Sequence, residues 1–336
     1  MLEHGGRLRQ AAAHYAIPLA DWLDLSTGIN PDSYPLPATL PAAAWQRLPE
    51  DDDGLEAAAA RYYGSSELLP VAGSQAAIQA LPAVLPGERV ALLTPSYVEH
   101  AHAWRQRQCS LVRSNDEQLE QLVAAHDIVV LVHPNNPDGS RFTPARLRAW
   151  RQQLAARGGW LVIDEAFIDT EAENSLCADA GTPGLIVLRS LGKFFGLAGA
   201  RVGFVFAPAD VRKRLTGLLG PWTLSGPARW AARLALADTA WQAQTRQQLV
   251  NASQRLDALL TSHGLGPCPG CALFRYLSHP QASVLHEALA RQGILVRLFT
   301  PGRYHRHHAL RFGLPTDDAG WARLDQALRI ALKEIR

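Results

Sequence analysis

Cysteine is scarce in this chain: four residues in 336 are too few for a disulfide framework. Neither sign of charge is in excess. Thirty-three basic residues against thirty-one acidic leave a formal charge of +2, without the basic face or stripe that a nucleic-acid binder needs. Long apolar runs are missing as well, and none approaches the length that spans a bilayer. The start, MLEHGGRLRQ, has neither the apolar core nor the cleavage site of a secretory signal. These absences lead us to expect a cytoplasmic protein with no membrane or nucleic-acid partner. The twelve histidines are scattered except near the C-terminal end.

What is present is a globular composition, 47% hydrophobic and 19% charged, in a chain long enough for two domains with cores of their own. Near-continuous apolar runs at Arg89–Leu93, Asp127–Val132, Trp160–Ile163 and Leu185–Leu188 read as strands buried on both faces. Helical stretches lie between them at Gln75–Leu85, Val98–Arg107 and Pro144–Arg157, the last with Thr143 as N-cap. The alternation predicts an α/β fold with a mostly parallel, doubly wound sheet. After Gly226 a stretch rich in Ala, Leu, Arg and Gln reaches Ser262 as a long helix, broken once at most. Strands at Ala272–Leu277, Ile294–Phe299 and Ala309–Phe312, with helices at Ser283–Arg291 and Thr316–Leu332, then predict a smaller α+β domain. The expected organisation is an N-terminal arm over 1–45, a large domain over 46–225, and the long helix with the small domain over 226–336.

Residues 190–203 read SLGKFFGLAGARVG. A lysine that forms a Schiff base with an aldehyde needs a pocket favouring its neutral amine. Ser190, three residues before Lys193, and Arg201, eight after it, can hold a phosphate, and the glycines let backbone pass close to a flat ligand. The combination suggests pyridoxal phosphate, bound covalently at one end and by its phosphate at the other. Four more pieces fit. Gly73, Ser74 and Gln75 open a helix whose free N–H groups face an anion. Tyr97 follows the Arg89 strand and can stack on a ring. Asn136 follows the Asp127 strand and offers an amide to a ring hydroxyl. Asp164 ends the next strand, where a carboxylate can keep a ring nitrogen protonated. All lie at or beyond the C-terminal ends of predicted strands, where open α/β sheets bind ligands.

These residues resemble the fold-type I pyridoxal phosphate enzymes, the aspartate aminotransferase superfamily, over most of the chain. The resemblance makes Lys193 the Schiff-base lysine, Asp164 the partner of the pyridine nitrogen, Asn136 that of the ring hydroxyl and Tyr97 the stacking ring. Ser190, Arg201 and the Gly73–Gln75 amides would hold the phosphate, and His100 would support the aspartate unless it is a helix-surface residue. Two positions depart from the pattern: Phe167 stands where many relatives have a tyrosine, and Leu48 where relatives place a tyrosine that reaches the neighbouring subunit's cofactor. A homodimer is expected on the same grounds.

His4-Gly5-Gly6, the run Asp24-Leu25-Ser26-Thr27-Gly28-Ile29-Asn30-Pro31, and Arg297 and Arg311 fourteen residues apart look like the threonine-phosphate decarboxylase family of cobalamin biosynthesis. Its close relatives, the histidinol-phosphate aminotransferases, also handle phosphorylated amino compounds. By that resemblance Arg311 meets the substrate carboxylate. Arg297, His4 and the Gly28–Asn30 backbone would meet its phosphate. The expected reaction is decarboxylation of L-threonine O-3-phosphate, with transamination of histidinol phosphate or a related amine as the alternative. Residue types alone do not choose between them, because the angle of the carboxylate to the cofactor ring decides. Cys268 and Cys271 have metal or redox spacing, but a zinc site needs four ligands and His263 is the only other candidate nearby, so a turn entering the Ala272 strand is expected there and no metal. His305, His307 and His308 form a basic loop, solvated or a lid.

Overall fold

Ile128–Val132 is apolar at all five positions and buried at all five, as a strand covered on both faces must be. In the computed structural model, which describes residues 5–112 and 116–334, the strands in chain order are β1 (Leu23–Leu25), β2 (Leu68–Val71), β3 (Arg89–Leu93), β4 (Gln108–Val112), β5 (Ile128–Val132), β6 (Trp160–Asp164), β7 (Leu185–Ser190), β8 (Gly203–Phe206), β9 (Gly270–Cys271), β10 (Phe274–Ser278), β11 (Ile294–Phe299) and β12 (Ala309–Phe312). They build two sheets, one in each of two compact units.

The larger unit takes Ser33–Asn136 and Arg141–Thr245. Its seven-stranded sheet has the order β2-β8-β7-β6-β5-β3-β4, and only β8 runs against the rest. Crossover helices connect the parallel strands. The Pro144–Ala155 helix is capped as expected, Thr143 Oγ1 accepting from Arg146 N–H at 3.3 Å. Ile78, Leu81, Val90, Trp104, Val130 and Ile186 belong to a core cluster of this unit.

The smaller unit gathers the chain up to Asp32, Pro137–Ser140 and the chain from Arg246 onward. Its sheet order is β1-β11-β12-β10-β9, antiparallel except for β1 beside β11. The N-terminal segment, read as an arm with little periodicity after Leu23, thus supplies an edge strand. Leu23, Asp24 and Leu25 pair with Ile294, Leu295 and Val296, and three residues are too few for a periodic signal. A helix at Leu8–Tyr15 precedes it and packs Ala11 with Trp22, Ala290 and Leu295.

The long helical stretch is broken once, into Gly226–Ala237 and Thr239–Ser262. Asp238 makes the break: its side chain accepts from Trp241 N–H at 3.0 Å, capping the second helix. Cys268 and Cys271 are both buried. The turn there falls at Ala272 and Leu273, between β9 and β10, so the strand expected from Ala272 begins at Phe274. Among the described residues, no helix is long and apolar enough to cross a membrane.

Candidate active site

In the larger unit the candidate residues stand at or just past the C-terminal ends of β2, β3, β5, β6 and β7. Lys193 lies in the excursion between β7 and β8, whose ends are closed by Ser190 paired with Gly203 and by Leu191 N–H on Val202 O at 3.1 Å. The next two residues, Phe194 and Phe195, are wholly buried, Phe195 stacking on Trp241 with centroids 5.6 Å apart. They fix the backbone from which Lys193 projects. Its Nζ lies 5.5 Å from the centre of the Phe167 ring, so the residue that departs from the usual tyrosine gives the lysine an aromatic face.

Asp164 ends β6 and is 3% exposed. Its Oδ2 lies 3.0 Å from His100 Nε2, and its Oδ1 accepts from Ala166 N–H at 3.1 Å. Of the two readings of His100, the structure has the buried one. Tyr97 stands edge-on to that imidazole, centroids 6.1 Å apart. Its hydroxyl donates to Gln75 Oε1 at 3.3 Å, and Gln75 Nε2 donates to the buried Glu99 at 2.9 Å. Asn135 spends its side chain on the neighbouring loop, accepting from Ser96 Oγ and donating to Pro95 O, both at 2.8 Å. Asn136 beside it is half-buried.

Gly73 precedes the Ser74–Val84 helix with no side-chain cap, leaving first-turn N–H groups for an anion. It sits at φ +71, and a Cβ on it would lie 2.6 Å from the Arg201 guanidinium. Arg201 itself has φ 54, a conformation an arginine adopts at a cost and one that clusters at ligand sites. Ser190 Oγ accepts from Gly192 N–H at 3.2 Å. A helix N-terminus with an arginine over it, a buried carboxylate backed by imidazole, an aromatic beside them and a lysine fit pyridoxal phosphate. A side chain at residue 73 would be strained by the positive φ and would push the Arg201 guanidinium aside.

In the smaller unit, Arg297 and Arg311 are direct cross-strand partners on β11 and β12, so both project from one face. Tyr276 of β10 pairs with Arg311 and continues the row. Arg311 is 7% exposed, donates to Ser26 O at 3.0 Å and lies over the Phe274 ring. Arg297 lies over Phe299, which also meets the rings of His305 at 4.7 Å and Tyr276 at 6.0 Å. Like charges directly opposite one another destabilise a sheet, and an anion between them relieves that repulsion. Arg297 also lines a cleft of about 460 Å³ with Gly5, Gly6, Arg7, Ser26 and His286. Gly28 and Asn30 are buried in the loop after β1, and Asn30 Oδ1 accepts from Asp32 N–H at 3.0 Å. His4 lies outside the described residues. Tyr276 and Glu99 carry no signal in the sequence, because only strand register and side-chain packing bring their partners near.

The model of the aminotransferase class I and II family matches residues 42–326, and the chain belongs to that family. Within it the chain is 55% identical over 328 residues to the threonine-phosphate decarboxylase of Pseudomonas aeruginosa, covering 98% of this chain and 97% of that one. It is 42% identical over 334 residues to the threonine-phosphate decarboxylase of a Sinorhizobium species, with 97% of each covered. The threonine-phosphate decarboxylases are therefore its branch of the family. Its fold is shared with the histidinol-phosphate aminotransferase of Sinorhizobium meliloti, solved in complex with pyridoxal-5'-phosphate, at TM-score 0.85 and 22% identity over 100% of this chain and 99% of that one.

Proposed function

We infer that this protein binds pyridoxal phosphate and decarboxylates L-threonine O-3-phosphate to (R)-1-amino-2-propanol O-2-phosphate, a reaction of cobalamin biosynthesis. The observation that carries the substrate choice is the cross-strand pair Arg297 and Arg311, two cations side by side for a small molecule with two anionic ends. The 55% identity to a threonine-phosphate decarboxylase supports the same reading.

Bound pyridoxal phosphate supplies the sink for the electron pair left when the carboxylate departs as carbon dioxide. The Gly73–Gln75 amides, Ser190 and Arg201 hold its phosphate, and Asn136 takes its ring hydroxyl. Asp164, backed by His100 at 3.0 Å, keeps a proton on its ring nitrogen. Tyr97 covers the ring, oriented by Gln75 and Glu99. Lys193 would hold the aldehyde end, and its amine is the group that would deliver a proton to the substrate carbon in place of the lost carboxylate. Arg311 binds the substrate carboxylate. Arg297 binds the substrate phosphate, with His4 and the Gly28–Asn30 backbone. We further propose that the enzyme is a cytoplasmic homodimer.

The test is incubation with threonine phosphate in the absence of any keto acid. Carbon dioxide and aminopropanol phosphate should appear in equal amounts through many turnovers. Turnover of histidinol phosphate with 2-oxoglutarate, and no gas from threonine phosphate, would instead make the protein an aminotransferase. Borohydride reduction should fix the cofactor to one of the three lysines, Lys193, leaving Lys213 and Lys333 unlabelled; Lys193→Ala should take no label.

A further inference from the structure

The mechanism above makes no use of the most deeply buried charge cluster in the larger unit. Asp164 ends β6 and Glu165 follows it, still held beside β7 by its N–H on Leu188 O at 2.9 Å, and successive residues of such an extended chain face opposite ways. Asp164 turns to His100. Glu165, wholly buried, turns to the other face and accepts from Arg189 at 3.1 Å, from Ser175 Oγ at 2.5 Å and from Leu176 N–H at 2.8 Å. Arg189 is the neighbour of Ser190 on β7, so this strand end repeats the division. One residue serves the cofactor side and the next serves the buried cluster. The same guanidinium reaches Asp169 with its other terminal nitrogen at 2.6 Å, and Tyr62 donates to that carboxylate at 2.9 Å. Burial alone would lower the Arg189 pKa; the carboxylates of Asp169 and Glu165 beside it outweigh that and hold the guanidinium charged.

Arg189 therefore grips two acids four residues apart, and the turn between them, closed by Ile168 N–H on Glu165 O at 3.3 Å, carries Phe167. The ends of β6 and β7 are locked together from beneath. We propose that Arg189 is a positioning residue that sets the spacing between Asp164 and Ser190, the groups for the two ends of the cofactor, and seats Phe167 against Lys193. This rests on the pyridoxal phosphate reading above.

A lysine in place of Arg189 keeps the charge but, as a point donor, cannot span both acids as a fork does. Arg189→Lys apoprotein should bind pyridoxal phosphate at least ~10-fold more weakly, by calorimetric titration, because that ligand needs both ends in register. Inorganic phosphate, which needs only one end, should bind within about twofold of wild type by the same cradle logic. Leu147→Ala, a core cavity in the same unit, serves as a control for lowered stability and should leave both affinities unchanged. If Arg189→Lys does not fold, Asp169→Asn removes one of the two gripped charges at constant size and should give the same split. Unchanged pyridoxal phosphate affinity in a folded variant would overturn the proposal. So would equal losses for both ligands, or an equal loss in the control. A wild-type protein that binds no pyridoxal phosphate would instead sink the reading on which the proposal rests.

Discussion

His133 and His305 are each pushed down to about pKa 4, first by burial and then by the positive charges of Arg141 and Arg297. A histidine depressed in the folded state is neutral there while its unfolded counterpart takes up a proton below pH 6.5. The stability is intact above 6.5 and is lost as pH falls toward 4. For His133, 1% exposed, the loss amounts to about 3 kcal/mol. The thermal midpoint should therefore fall between pH 7 and 5, and less steeply in His133→Gln. The arginine pair gives a second outcome at this scale. In the holoprotein, where the cofactor fills the Gly73–Arg201 cradle, phosphate or sulfate should raise the midpoint by relieving the repulsion across β11 and β12, and Arg297→Ala should abolish most of that rise. In steady-state kinetics Arg311→Ala should lower kcat/KM roughly 30-fold or more for any substrate with an α-carboxylate. Arg297→Ala should do so for threonine phosphate, with little effect on the much weaker turnover of threonine.

Elements respond more locally. Thr143→Ala removes a cap from the Pro144–Ala155 helix and should cost about 1 kcal/mol in denaturant titrations while kcat stays unchanged. This cap could be read in the sequence because Thr143-Pro144 is a local signal, and the parallel strands could be read because burial on both faces leaves unbroken apolar runs. The edge strand β1 left no such trace. Its three residues owe their conformation to a partner some 270 positions away, Leu23 meeting Ile294. The candidate site divides on the same line. Tyr97, Asp164 and Lys193 stand at or just past strand ends, which a sequence shows. The facing of Arg297 and Arg311 depends on hairpin register, and the grip of Arg189 on Glu165 and Asp169 joins positions 24 and 20 apart in sequence. No spacing rule reveals either. Phe167 was legible as a departure, but its place under the Lys193 amine was not.

For the whole molecule, the homodimer proposal draws on exposed apolar side chains of the larger unit. Trp45 is 72% exposed, Leu48 64% and Trp222 58%, and Trp222 also holds φ 56, unusual for so bulky a residue. Exposed apolar groups of this size mark interaction surfaces when they adjoin. Light scattering should give twice the chain mass at working concentration, and Trp45→Ser with Trp222→Ser should shift the equilibrium toward the single chain. A fully active monomer would contradict the proposal.

The division of labour at the end of β6 also sets which length changes the gene can survive. Losing or gaining one residue inside Trp160–Ile163 would exchange the two faces, offering His100 a side chain meant for Arg189 and stranding a guanidinium without its acid. A change of two would keep each carboxylate on its proper side. Tolerance in this strand should thus follow parity rather than size, and a screen of single- and double-codon deletions would show the smaller lesion to be the more damaging.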